Sequence, residues 1–127
     1  MEAALVGALT WLGVAVFGAL GAVARFRVDS AVSTRVASDF PLGTLVVNLT
    51  GSFALGVLVG AAVSHRVAFL LGTGFMGGYT TFSTWMVESV RLGEVGNVAA
   101  LLGNLGFSML AGFGVAAAGF YLGQALA

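Results

Sequence analysis

The chain has no cysteine and no lysine, one proline, one histidine and five acidic residues among 127. Without cysteine there is no disulfide frame, no thiolate metal site and no redox motif. One histidine and scattered acids offer no metal-ligand cluster, and neither a nucleophile–base pair nor a phosphate-binding loop is visible, so an enzyme is not expected. Zero net charge without lysine gives no footprint for nucleic acid. Charge of either sign is scarce, at 8% of residues against about a quarter in a soluble domain. With 59% hydrophobic residues and a mean hydropathy of +1.06, the chain cannot cover a water-facing surface. It reads as an integral membrane protein whose surroundings are lipid.

What is present is four charge-free runs: Ala3–Ala24, Phe40–Ser64, Val67–Val87 and Val95–Ala127. Each meets the requirement of about 20 apolar residues for a helix crossing the bilayer. The expectation is an all-α membrane protein, a single domain over 1–127, with four transmembrane helices near 3–25, 41–64, 67–91 and 95–124. The first run lacks a basic n-region and exceeds the ~7–15 residues of a signal h-region, so it reads as a retained span. Pro41 stands where the second helix starts, Gly93 and Gly96 bracket the last turn, and the His65-Arg66 connection makes helices two and three antiparallel neighbours.

Two spans carry small or polar residues at spacing four. In the second these are Asn48, Ser52, Gly56, Gly60 and Ser64; in the fourth, Ala100, Asn104, Ser108, Gly112 and Ala116, followed by Gly119-x-x-x-Gly123. Small residues let helix backbones cross closely, and plain packing accounts for the glycines. Asn48 and Asn104 differ, because an amide in lipid needs partners. They mark either a polar pathway or interhelical bonding.

The third span contains Gly72 to Trp85, GTGFMGGYTTFSTW, where a Gly-Gly pair precedes Thr80, Thr81, Ser83 and Thr84. Glycine followed by hydroxyl residues predicts a backbone break at 77–81. Val67 to Gly77 amounts to about 16 Å of helix, roughly half the ~30 Å hydrocarbon core, which puts the break near the midplane. Irregular backbone at that depth is tolerated only inside protein or along an aqueous path. There, unwound carbonyls coordinate cations and a half-helix N-terminus offers free N–H groups.

These residues resemble the small bacterial fluoride channels of the Fluc/CrcB type. The resemblance covers nearly the whole chain and rests on Gly18–Arg25 (GALGAVAR), Gly43–Asn48 (GTLVVN) and Gly72–Thr84. It implies an antiparallel, dual-topology-type dimer of four-helix subunits in the bacterial inner (plasma) membrane, passing fluoride out of the cell. It also implies a structural sodium ion at the dimer centre, held by backbone carbonyls that fall at Gly77 and Thr80. By the same resemblance Asn48, Phe82, Ser108 and Thr81 belong to the fluoride pore, with Arg25 structural at a helix end. A ring edge carries the positive part of the aromatic quadrupole, which suits Phe82 to meeting an anion. Trp85 stands where the family has a second pore phenylalanine, offering a ring edge and an N–H; Asn104 replaces a common tyrosine, and Gly112 a later serine.

Arg25, Arg27, Arg35 and Arg91 fall on one membrane face and Arg66 on the other. That bias argues for a fixed orientation, with the four-arginine face cytoplasmic. The second subunit is therefore either a copy of this chain or a paralogous homologue inserted the other way. A proton-coupled multidrug exporter would need a carboxylate deep in a span, whereas Glu88 lies at a span's edge. A membrane scaffold subunit would explain the glycines but not the hydroxyl-rich break.

Overall fold

The computed structural model describes all residues, 1–127, and contains only helices joined by short turns. The order is α1 (Glu2–Arg35), α2 (Leu42–Gly60), a single turn α3 (His65–Val67), a π-helical segment (Ala68–Met76), α4 (Gly77–Tyr79), α5 (Ser83–Glu94) and α6 (Val98–Leu126). Three helices, α1, α2 and α6, are long and apolar enough to cross a membrane. The third apolar run is divided among shorter pieces.

Only 15 of 127 residues are buried, so most apolar side chains, including Leu5, Leu9, Leu12, Val16 and Leu20 along α1, point outwards. That inversion suits lipid as solvent, where apolar exposure carries no penalty and backbone bonding must be internal.

The first span does not end at Arg25. α1 continues through the charged stretch to Arg35, because no glycine or proline interrupts residues 25–35. Thr34 Oγ1 bonds back to Ser30 O at 2.8 Å, and Arg35 in the last turn complements the helix dipole. At ~1.5 Å per residue α1 is about 51 Å long, so its last turns stand beyond a ~30 Å core.

The α2–α6 seam is built on glycine. A Cβ on Gly56 or Gly60 would run into the carbonyls of Ala116 and Phe120, and one on Gly119 or Gly123 into those of Phe53 and Val57. Backbones in this contact admit no side chain, which is the small-residue packing expected of membrane helices. Gly96 has another task. At φ 75 it ends α5, with Gly96 N–H bonded to Gly93 O and Asn97 N–H to Leu92 O, a Schellman closure.

The break lies later than the glycines indicate. Gly77 is helical, at φ −61 and ψ −38, and the chain leaves the helix at Thr80, whose ψ is 159; α5 begins at Ser83. The irregular part is thus Thr80–Phe82 rather than 77–81. Gly78 is kept small by packing, since a Cβ there would strike the Gly18 carbonyl of α1. The preceding π-helix was not expected either. Its glycine at 74 is buried against Val14 and Phe17 of α1.

Candidate functional site

An opened helix exposes backbone N–H and C=O groups that cost several kcal/mol each if left bare in hydrocarbon. At Thr81 they are satisfied by one side chain. Asn48, on α2, donates from Nδ2 to Thr81 O at 2.9 Å and accepts from Thr81 N at 2.8 Å on Oδ1. A carboxamide has the same donor–acceptor pair as a peptide group, so it closes the break as a neighbouring strand would. One Asn48 N–H remains, since its NH₂ has two.

The hydroxyls at the break complete the closure. Thr80 Oγ1 bonds Met76 O at 2.9 Å, while Thr81 Oγ1 accepts from Thr84 N–H at 3.2 Å and so ties down the start of α5. Tyr79 OH lies 2.9 Å from Thr50 Oγ1; the Thr50 hydroxyl donates to Val46 O at 2.7 Å, which leaves Tyr79 as the donor in the pair. The N–H of Thr81, which in an unbroken helix would reach Gly77 O, goes to Asn48 instead. The Gly77 carbonyl thereby loses its helical donor.

Six of the expected residues come together. Asn48, Thr80, Thr81, Phe82, Trp85 and Ser108 line one open groove of about 790 Å³ between α2, α6 and the break, with Ser52 and an apolar wall that includes Leu55, Met109 and Phe113. Phe82 is 70% exposed and meets Trp85 edge-on, at 5.8 Å between centroids and 73° between planes. The Trp85 N–H is already used: Nε1 donates to Asn104 O at 3.0 Å. The expected ring edge remains, but that donor is engaged within the protein. Ser108 Oγ sits 3.3 Å from Asn104 Oδ1, a long hydrogen bond. Gly77 and Arg25 are not on this groove.

Arg25 instead lines a second, smaller cavity of about 210 Å³ with Asp29, Thr44, Thr81 and Thr84. Thr81 belongs to both cavities. The Asn48–Thr81 pair consequently stands between an arginine-lined pocket and an aromatic-lined groove.

Sequence reading missed one participant here. Thr44 Oγ1 donates to Glu88 Oε1 at 2.9 Å, and Glu88 Oε2 is buried without a partner. Thr84 and Glu88 lie four apart, the spacing of one face of α5, which is the signal the sequence offers. Glu88 drew attention only as a residue at a span's edge.

Long apolar helices, an outward apolar surface and polar groups converging on an interrupted segment define a multi-pass membrane protein. Residues 12–120 match the family described as CrcB-like protein, Camphor Resistance (CrcB), and the chain belongs to that family. It is 53% identical to the "Fluoride-specific ion channel FluC 2" of Mycolicibacterium paratuberculosis, across 92% of this chain and 93% of that one. Identity to the FluC 2 of Mycobacterium bovis is 47%, over 90% of each chain. To the "Fluoride-specific ion channel FluC 1" of Leifsonia xyli it is also 47%, over 91% of this chain and 87% of the relative. These relatives are named as ion channels, which are not enzymes.

Proposed function

We propose that this chain is a subunit of a fluoride-selective channel that lets fluoride leave the bacterial cell passively. The observation that carries the reading is the Asn48–Thr81 pair between two cavities, with Phe82, Trp85 and Ser108 beyond it. Fluoride is strongly hydrated, so a path for it must replace water with donors that do not hold it. The remaining Asn48 N–H and the Phe82 ring edge are donors of that graded kind, joined by the Ser108 hydroxyl when its long bond to Asn104 Oδ1 opens, and conduction needs binding weak enough to release. The relatives' names support fluoride as the ion.

In this reading the pieces from His65 to Glu94 together make a fourth, interrupted span, and two subunits pack antiparallel in the plasma membrane. A structural sodium ion would lie at their centre on the carbonyls of Gly77 and Thr80. The fit is chemical: a hard cation prefers oxygen ligands, and the Gly77 carbonyl has been released from its helical bond. Two carbonyls are too few for such an ion, so a second subunit would have to supply the rest. The bound ion would neutralise the oxygens of two breaks facing one another.

The arginine distribution supports a second version, in which the partner is an oppositely inserted homologue. Four arginines against one disfavour insertion in both directions, and the relatives' names number a FluC 1 and a FluC 2. The deciding experiment is fluoride efflux from liposomes holding the purified chain, read with a fluoride electrode. Efflux from the chain alone, lost on Phe82→Ala or Asn48→Ala, supports the homodimer. Efflux only with a co-purified homologue supports the two-chain channel. Efflux unchanged in both variants refutes the pore assignment.

A further inference from the structure

Asn104 is 1% exposed and lies on neither cavity, yet it is bonded to residues that do. Its backbone carbonyl accepts the Trp85 indole N–H at 3.0 Å. Its Nδ2 donates to Ser89 Oγ at 2.9 Å, and that hydroxyl donates in turn to Trp85 O at 2.8 Å. Asn104, through its side chain and its main-chain carbonyl, thus forms a closed loop of hydrogen bonds with Ser89 and Trp85, and Ser108 donates to it at Asn104 Oδ1.

The loop includes both side-chain hydrogen bonds between α5 and α6. α5 follows directly on the break, so its first turn is not continued by a regular helix on its N-terminal side. A ring there keeps its orientation only if something outside α5 holds it. Trp85 carries the edge-on contact to Phe82, itself largely exposed in the groove. A hydrocarbon side chain at 104 would fill the space but could not bond Ser89 and Ser108 together.

We propose that Asn104 is a positioning residue of the anion groove: through Ser89 it holds the first turn of α5, and so the Trp85 ring and its Phe82 partner, without meeting the ion itself. This rests on the channel reading above.

The test uses the whole chain in liposomes, paired as its conduction requires, in a Trp11→Phe background that leaves Trp85 as the only tryptophan. Trp11 packs on Phe69 and touches neither cavity. Asn104→Leu and Ser89→Ala are compared singly and together, by fluoride efflux per folded channel and by Trp85 fluorescence anisotropy. Losing one net hydrogen bond of ordinary strength corresponds to about a fivefold change. Each single variant should lower efflux about fivefold and lower the anisotropy, and the double variant should be no worse than either, because both act in one network. Efflux within twofold of the parent, additive losses, or an efflux loss with unchanged anisotropy would overturn the proposal. If Asn104→Leu does not fold, Ser89→Ala alone decides by the same readings. A parent chain that passes no fluoride counts against the channel reading, whereas anisotropy unchanged in the variants counts against the positioning role.

Discussion

Asn48 and Asn104 are the same residue type on two apolar helices, and the structure gives them different work. Asn48 is half-buried on the groove and bonds main chain; Asn104 is fully buried behind the groove and bonds mainly side chains. Both follow one rule, that a carboxamide in hydrocarbon must be paired. What separates them is the backbone opposite. α2 faces an opened segment with unpaired peptide groups, while α6 faces an intact helix whose peptide groups are already bonded. An asparagine in a membrane span therefore reports the state of its neighbour's backbone more than its own helix.

The comparison can be broken most forcefully at Asn48. Asn48→Leu leaves both the N–H and the C=O of Thr81 unpaired, at about 1–3 kcal/mol for each group. A large drop in unfolding temperature in detergent and loss of fluoride efflux should follow together; a stable, conducting variant would show that the break closes by other means.

Asn104→Leu should act less strongly on stability, by about 1–2 kcal/mol, because the helices it joins keep their own backbone bonds. Thermal unfolding that equals or exceeds the Asn48→Leu loss would reverse the order of the two sites. Trp85→Phe keeps a ring edge but removes the indole donor with part of the ring, and the lost hydrogen bond alone should cost about 0.5–1.5 kcal/mol. Its efflux should fall less than that of Phe82→Ala; an equal fall would mean that the indole N–H serves the ion rather than Asn104. The smallest effect belongs to Ser108→Ala. Its bond to Asn104 is long, so stability should change by less than about 0.5 kcal/mol, and a change confined to efflux would place the hydroxyl on the ion's path.

Much of the groove was legible from residue types. Asn48 and Phe82 lie in the motifs that carry the resemblance, Ser108 on the polar stripe of the fourth span and Trp85 where the family pattern has a phenylalanine, and all four line the groove. The pairing of Asn48 with Thr81 was not legible, because the two are 33 positions apart and only packing of α2 on the break joins them. Neither was the bond that removes the Trp85 N–H from the groove, since its acceptor is a main-chain carbonyl with no signature in sequence. The break falls later than its glycines suggest because a Gly-Gly pair has two explanations, flexibility and close approach, and here Gly78 serves the second against α1. Similarly, the end of α1 was read from the first charge, but a helix leaving lipid for water has no reason to stop there.

By itself, the sequence determined that this chain lives in a bilayer as helices. Lipid penalises charge and unpaired backbone whatever the fold, so scarce charge and long apolar runs suffice for that conclusion. Only the tertiary structure decided where the third apolar run opens, which asparagine repairs it and which one stands behind it. Those outcomes depend on which backbone groups remain unpaired once the helices are in contact, and no single segment carries that information.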